Sequence, residues 1–144
     1  MIASGNFSVM VAVLQHAALL AAERLSAWEV VDYASGGKPD APSGTARELA
    51  ERLSAVRRPA PTPDPIGPAE ARGANVDGTR VHSLRLPSFT VSTEVVFGGE
   101  DERLSLRHDA GNDAAPYISG TLLAARLVTE RVGVTRGLDQ LLFG

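Results

Sequence analysis

Residues 38–46 place one cation beside a Ser-Gly-Thr turn, at the start of a predicted helix. Helix-forming residues with apolar positions three and four apart continue from Thr45 to about Val56. Ser43 is then the predicted N-cap, and the first N–H groups of the helix have no partner inside it. The positive end of a helix favours an anion there, and the Ser43 and Thr45 hydroxyls would add donors. With Lys38 as the countercharge, the pattern predicts a site for a carboxylate or a phosphate.

The spacing alone leaves a second interpretation open. Ser and Thr cap many helices, so on spacing alone residues 42–45 are more typical of a helix start that binds no ligand. Lysines are mostly exposed, so Lys38 taken alone is typical of a solvated surface.

A longer pattern favours the binding interpretation. Residues 38–46 resemble the Lys-x-Asp-Ala-Pro-Ser-Gly-Thr-Ala motif of the 4-hydroxy-tetrahydrodipicolinate (dihydrodipicolinate) reductase family, with Pro39 as the one unusual residue. Residues 4–9 are similar to the family's hinge segment, and residues 82–85 and 104–108 to its strands that end in Arg and in His. Gly120 and the Ala/Leu-rich stretch after it resemble the last helix. The resemblance therefore spans nearly the whole chain.

The resemblance implies one half of a two-domain enzyme. The family consists of nicotinamide-dependent reductases of bacterial lysine and diaminopimelate synthesis, with an N-terminal Rossmann domain and a C-terminal α+β domain that binds substrate and forms the tetramer. Only the second domain is matched, so residues 1–144 are expected to form the substrate-binding and oligomerisation domain. The Gly-Gly pairs at 36–37 and 98–99 lack the third glycine and the helix of a dinucleotide-binding turn. We therefore expect the chain to be part of a longer protein, without the Rossmann domain, and to bind no NAD(P)H by itself.

The family roles transfer to individual residues. The resemblance implies that Lys38 is catalytic, that Ser43, Gly44 and Thr45 bind substrate, and that Asn6 and Phe7 touch the cofactor in the full-length protein. There, NAD(P)H would reduce a small carboxylate-bearing cyclic imine or enamine. The isolated chain is expected to be inactive and to self-associate as a homotetramer or dimer.

Two departures from the family keep other functions open. Where the family usually has two histidines, this chain has Ala34 and Ser35, and a family Arg is replaced by Asp113. These changes affect proton donation and the recognition of a dianionic substrate. The alternatives are a divergent reductase of a less anionic imine or carbonyl compound, and a non-catalytic assembly module.

Further titratable residues have structural or functional interpretations. Tyr33 could replace a missing acid if Lys38 lowered its pKa, although a packed aromatic residue is favoured. His16 and His82 are expected to be structural, whereas His108 matches a family position near the substrate. No metal site is predicted, because the histidines lack the spacing of metal ligands.

Arg85 and Asp32 end predicted strands. Arg85 could bind a carboxylate or form a surface ion pair, and Asp32 is expected to have at most an indirect role.

Composition narrows the class of protein. A chain of 144 residues suits one domain with a real core. Its 22% charged residues and net charge of −3 give no basic field for nucleic acid or anionic lipid. The absence of cysteine fits a reducing cytoplasm.

The apolar stretch at 9–22 is interrupted by Gln15 and His16, so it predicts a buried helix and neither a membrane span nor a signal peptide. A soluble, cytoplasmic protein without nucleic-acid or membrane partners is expected.

The pattern of elements predicts an α+β fold with a mixed four-stranded sheet covered by helices on one face. Helices are predicted at 8–25, 45–56 and 117–132, and strands at 28–33, 79–86, 90–97 and 102–108, the last three as an antiparallel meander. Residues 57–78 carry five prolines and predict an irregular loop. Because Val91, Val95 and Phe97 alternate with Val96, the uncovered face is expected to be apolar and to drive self-association.

Overall fold

In a computed structural model, all 144 residues are described. The elements in chain order are β1 (Ile2–Ala3), α1 (Val9–Ala22), β2 (Trp28–Ala34), α2 (Gly44–Val56), β3 (Ala74–Val76), β4 (Thr79–Arg85), β5 (Val91–Gly99), β6 (Glu102–Asp109), α3 (Ala115–Leu127), β7 (Thr135–Arg136) and α4 (Asp139–Leu142). Short 3-10 turns lie at Ala69–Arg72 and Val128–Glu130. The α+β class and the mixed sheet are confirmed.

The main sheet has five strands in the order β3-β4-β2-β5-β6. The additional strand, β3, lies in the segment predicted to be irregular throughout. It pairs antiparallel with β4 across the two residues Asp77 and Gly78, which both have positive φ, at 51° and 101°. An Asp-Gly pair with positive φ is the preferred two-residue hairpin turn, so the signal for β3 was present in the sequence.

The predicted antiparallel meander is wrong in one place, because β4 does not lie beside β5. Strand β2 lies between them, parallel to β4 and antiparallel to β5, while β5 and β6 do form a hairpin. The chain leaves β2, passes through α2 and returns to β4 in the same direction, as a parallel pair requires. Alternating residue patterns predict where strands occur, but here the connection through α2 determines which strands are neighbours.

Alternation along β2 places its odd and even positions on different faces of the sheet. Trp28, Val30, Asp32 and Ala34 are buried toward the helices. The helices α1 and α2 contribute apolar side chains to the same core. The core cluster contains Leu14, Ala18, Ala22, Trp28, Val30, Ala46, Leu49, Ala50, Leu53, Val81, Val95 and Phe97. Asp32 is thus a carboxylate on the buried face of the central strand.

The other face of the sheet is mixed and not apolar throughout, since the partly exposed side chains of Val31, Leu84 and Val96 lie on it among charged residues. Val95 and Phe97 point into the core, where Phe97 contacts Trp28. Val96 is on the open face, surrounded by charged residues. By register, these are Glu29, Arg80, His82, Glu94 and Arg107. Self-association therefore cannot be argued from apolar surface alone.

The helices differ from their predicted extents mainly at their C-terminal ends. Helix α1 begins after the N-cap Ser8 and ends at Ala22, three residues before the predicted end. It is buried on one side only, since Met10, Val13 and Leu20 are exposed. Helix α3 ends at Leu127 and continues as a 3-10 turn. None of these helices is both long and apolar enough to span a membrane.

Candidate functional site

The start of α2 is held to β2 through Asp32 and Ser43. The Ser43 backbone N–H donates to Asp32 Oδ2 at 2.9 Å, and the Ser43 hydroxyl donates to Asp32 Oδ1 at 2.7 Å. Ser43 Oγ also accepts from the Ala46 N–H at 3.3 Å, so Ser43 is the N-cap, as predicted. The N-cap is therefore fixed in position by a carboxylate on the central strand.

Asp32 also binds two groups on the neighbouring strand β4. Ser83 Oγ donates to Asp32 Oδ2 at 3.0 Å, and Arg85 donates to the same oxygen at 2.8 Å. Burial would raise the pKa of Asp32, but the hydrogen bonds from Arg85 and Ser43 outweigh it and hold the pKa below 3.8. Arg85 also donates to the carbonyl oxygen of Asp40 at 2.6 Å. Arg85 therefore forms an internal ion pair and supports the loop before α2.

The hydroxyl groups of the turn are occupied within the chain, contrary to the expectation that both would be available to an anion. Thr45 Oγ1 donates to the Gly5 carbonyl at 3.2 Å and accepts from the Asn6 amide at 3.2 Å. Ser43 Oγ donates to Asp32. Among the backbone groups, the Gly44 and Thr45 N–H have no acceptor in the chain, because the capping bond uses Ala46. Two backbone N–H groups are therefore the free donors of the turn.

Lys38 lies at the edge of the same turn. Its Nζ is 2.8 Å from Asp40 Oδ1, and its side chain is 30% exposed. The hydrogen bond from Lys38 holds the pKa of Asp40 below its ordinary value. Since Asp40 is exposed, an incoming anion can compete with it for the ammonium group.

A cavity of about 350 Å³ opens beside the N-terminus of α2. It is lined by Gly5, Asn6, Phe7, Lys38, Ser43, Gly44, Thr45, Val91, Tyr117 and Thr121. All six residues assigned to substrate or cofactor from the sequence are among them, although they come from two distant segments. The remaining four were not assigned any role from the sequence.

Tyr117 and Thr121 reach the cavity from α3, which packs closely on the hinge segment. A Cβ at Gly120 would lie 1.9 Å from the Phe7 carbonyl oxygen, so only glycine permits this approach. The two hydroxyl residues are four positions apart and share one face of the helix. A glycine inside a predicted helix is typical of a close contact, but the spacing did not show which face of α3 would line the cavity.

Other candidate residues lie elsewhere. Tyr33 is on the open face of the sheet, where its hydroxyl donates to Glu94 at 3.0 Å. Burial and the Glu94 carboxylate raise the pKa of Tyr33, so the phenol is a poorer acid and not a substitute for the missing histidines. The packed-aromatic interpretation fits, since its ring contacts Phe89 and lies beneath Arg107.

The three histidines do not line the cavity. His82 Nε2 is 2.6 Å from Glu29 Oε2, and His16 stacks on Phe143 at 4.3 Å. Burial lowers the pKa of His108, which lies on β6 outside the cavity. No three His, Asp or Glu side chains come together as a possible metal site.

A larger cleft of about 1010 Å³ lies beneath the proline-rich segment. Both signs of charge line it, since Arg58 and Arg80 face Glu29 and Asp77. It contains none of the residues assigned from the sequence and no helix N-terminus, so the smaller cavity is the better candidate site.

Comparison with known proteins gives consistent matches. The family model described as "Dihydrodipicolinate reductase, C-terminus" matches residues 7–142. A 4-hydroxy-tetrahydrodipicolinate reductase of Mycobacterium sp. (strain KMS) is 41% identical over 140 residues, which cover 95% of this chain and 57% of that protein. The enzyme of the same name from Mycolicibacterium gilvum (strain PYR-GCK) is 39% identical over the same shares of the two chains.

A solved structure agrees with these matches. The dipicolinate-bound dihydrodipicolinate reductase of Paenisporosarcina sp. TG-14 superposes with a TM-score of 0.82 and 32% sequence identity. The match covers 96% of this chain and 53% of that one. The chain thus spans little more than half the length of the relatives it matches.

Proposed function

This chain belongs to the dihydrodipicolinate reductase family, and we propose that residues 1–144 are the substrate-binding and oligomerisation domain of a longer NAD(P)H-dependent reductase. The alignment lengths support a longer protein, because the match includes 95% of this chain but only 57% of a curated relative. In this proposal a Rossmann domain outside these residues binds the nicotinamide. The protein would act in lysine and diaminopimelate synthesis in the cytoplasm.

The proposed role of the cavity is to hold a small carboxylate-bearing cyclic imine. Gly44 and Thr45 would donate their free N–H groups to the carboxylate, while Ser43 keeps the turn in place. Lys38 would exchange Asp40 for the substrate, balance the negative charge and donate a proton to the imine nitrogen. The observation that carries this proposal is that Lys38 and two unpaired N–H groups line one cavity at the positive end of α2.

The expected affinity is modest. A hydrogen bond to a charged group contributes about 1.5–3 kcal/mol. Lys38 must leave Asp40 and is itself partly exposed to solvent, so part of that gain is lost. Binding should also weaken with salt, because exposed charges are screened over about 10 Å at 0.1 M.

The nicotinamide would supply a hydride to the imine carbon. Asn6 and Phe7 fit a contact with that cofactor in different ways. The side-chain nitrogen of Asn6 donates to Thr45, and its side-chain oxygen accepts from the Ser8 N–H at 2.8 Å. Asn6 would therefore hold the hinge segment in place. Phe7 lines the cavity and would offer its apolar ring to a flat heterocycle. Neither residue could bind the cofactor without the other domain.

Self-association as a dimer or homotetramer remains part of the proposal, on a different physical basis. No helix covers the open face of the main sheet, where Val31, Leu84 and Val96 lie among charges of both signs that could pair with those of a second copy. Such contacts would be salt-dependent, unlike an apolar interface.

Titration of the labelled chain with pyridine-2,6-dicarboxylate, followed by NMR, tests the proposed site. We expect the Gly44 and Thr45 amide signals to shift in a saturable way, and we expect Lys38→Ala to weaken binding at least about tenfold, equal to 1.4 kcal/mol. Arg24→Ala, which removes an exposed cation outside the cavity, is the matched control. If the amides do not move and Lys38→Ala behaves as the parent, the assembly-module alternative is correct.

A further inference from the structure

The side chains of Thr45 and Glu48 bind both backbone polar groups of Gly5. The Gly5 N–H donates to Glu48 Oε2 at 2.6 Å, and the Gly5 carbonyl oxygen accepts from the Thr45 hydroxyl at 3.2 Å. Thr45 and Glu48 are three positions apart, so they lie on one face of α2. One face of this helix therefore holds the hinge segment through the N–H and the carbonyl of a single residue.

The hinge segment also packs closely on α2. A Cβ at Gly5 would lie 2.6 Å from the Gly44 carbonyl oxygen and 2.8 Å from Glu48 Oε2, so a larger residue would force the two elements apart. The next residue, Asn6, is buried, and its side-chain nitrogen donates to Thr45 Oγ1 at 3.2 Å. Together these contacts fix the hinge segment against the first turns of α2.

The residues that are held in this way belong to the candidate site. Gly5, Asn6 and Phe7 all line the cavity at the start of α2. Glu48 does not line it, and lies instead in a neighbouring depression of about 240 Å³. The Gly5 N–H has no other acceptor in the chain. Glu48 therefore supports part of the cavity from outside, and replacing it removes a support without removing any residue of the cavity.

We propose that Glu48 is a positioning residue of this site. It holds residues 5–7 where a ligand requires them, so less ordering remains to be done when the ligand binds. A bond from a backbone N–H to a carboxylate is stronger than one between neutral groups, which suits this role. The proposal rests on the proposed function, because it takes the cavity to be the site of a carboxylate-bearing ligand.

Two substitutions at Glu48 separate its hydrogen bond from its charge. Both Glu48→Gln and Glu48→Ala remove the negative charge, but only the glutamine keeps an acceptor for the Gly5 N–H. We expect calorimetry to show that Glu48→Gln binds pyridine-2,6-dicarboxylate at least as tightly as the parent. The Glu48→Ala variant should bind it about threefold more weakly than Glu48→Gln, or weaker still. Glu51→Ala, which removes a carboxylate one turn further along α2, is the matched control and should bind as the parent does.

Amide hydrogen exchange measures whether the hinge segment is the part that moves. The Gly5 amide should exchange about tenfold faster in Glu48→Ala than in Glu48→Gln, whereas the Leu49 amide of α2 should exchange alike in both. Faster exchange at Leu49 as well would mean a general loss of helix stability and would overturn the positioning role. Because coupling between two sites is reciprocal, saturating acid should slow Gly5 exchange in the parent by about threefold or more.

The affinities distinguish failure of this proposal from failure of the proposed function. If Glu48→Ala binds the acid as tightly as Glu48→Gln does, while the parent also binds it, Glu48 does not position the site and the proposed function stands. If the parent binds no acid, the proposed function is wrong and the positioning role is overturned with it.

Discussion

The carboxylate of Asp32 holds both the backbone N–H and the hydroxyl of Ser43, at 2.9 and 2.7 Å. A residue in the middle of the sheet thereby fixes the first turn of α2, where the two unpaired N–H groups lie. Arg85 and Ser83 bind the same carboxylate from β4. The turn that is proposed to bind an anion is therefore anchored to the buried face of the sheet.

Replacing Asp32 by Asn should strongly destabilise the chain. The change leaves Arg85 with no anionic partner, and breaking a buried pair in this way typically costs about 3–5 kcal/mol. Urea unfolding monitored by circular dichroism measures the loss. Asp64→Asn, in the proline-rich segment, is the matched control and should unfold like the parent. Equal stability of the two variants would show that the Asp32 network is not structurally important.

The Asp32 contribution should depend on pH. Its pKa in the folded state is lowered from 3.8, so its stabilising effect is complete above 3.8 and is lost as pH falls through the folded value. Unfolding free energies of the parent and of Asp32→Asn, measured from neutral pH to below pH 3, should converge on the acid side. A gap between parent and variant that stays constant at low pH would contradict this origin of the stability.

Adding a methyl group at Gly44 should separate binding from folding. A Cβ there would have its nearest neighbour, the Gly5 carbonyl oxygen, at 3.9 Å, so the fold can accept it. The methyl would lie beside the free N–H groups, because a helical Cβ points toward the N-terminus. Gly44→Ala should therefore keep or raise the melting temperature, with a helix gain of about 0.5–1 kcal/mol, and weaken binding of pyridine-2-carboxylate.

Gly5→Ala is the contrasting variant for Gly44→Ala. Its Cβ would lie 2.6 Å from the Gly44 carbonyl oxygen, so it should reduce both stability and binding. If Gly44→Ala binds the acid as well as the parent does, the N–H groups of the turn are not the donors.

The contact between α3 and the hinge segment should position the cavity residues that α3 contributes, Tyr117 and Thr121. Gly120→Ala would place a Cβ 1.9 Å from the Phe7 carbonyl, so α3 must move and carry Tyr117 and Thr121 with it. We expect a lower melting temperature and altered Tyr117 and Thr121 signals in NMR spectra. Gly111→Ala, where a Cβ meets nothing within 4 Å, should leave both unchanged. Identical behaviour of the two alanine variants would show that this contact does not position the helix.

The sequence predicted local features well and their arrangement less well. The N-cap Ser43 and the extent of α2 followed from residue type and periodicity, which act over a few residues. The position of β2 between β4 and β5 did not, because the crossover through α2 is a tertiary feature. The hairpin turn at Asp77 and Gly78 could be predicted from its residue types, but the five prolines earlier in the same segment favoured an irregular loop.

The sequence predicted the residues that the first half of the chain contributes to the candidate site, but not those contributed by α3. Lys38 and residues 43–45 are contiguous, so a motif could identify them. Tyr117 and Thr121 come from a helix about seventy positions later, and only the packing of Gly120 brings them to the cavity. Asp32 left a partial signal, since it alternates with Trp28 and Val30 on a buried face, where a carboxylate must be paired.

A crystal structure of this chain with pyridine-2-carboxylate tests the central claim most directly. We predict carboxylate oxygens within about 3.2 Å of the Gly44 and Thr45 nitrogens and of Lys38 Nζ, with Asp40 released from the ammonium. The ring should lie toward Phe7 and Val91. An acid bound only in the larger cleft beneath the proline-rich segment, or a turn that stays empty at saturating concentration, would contradict the account.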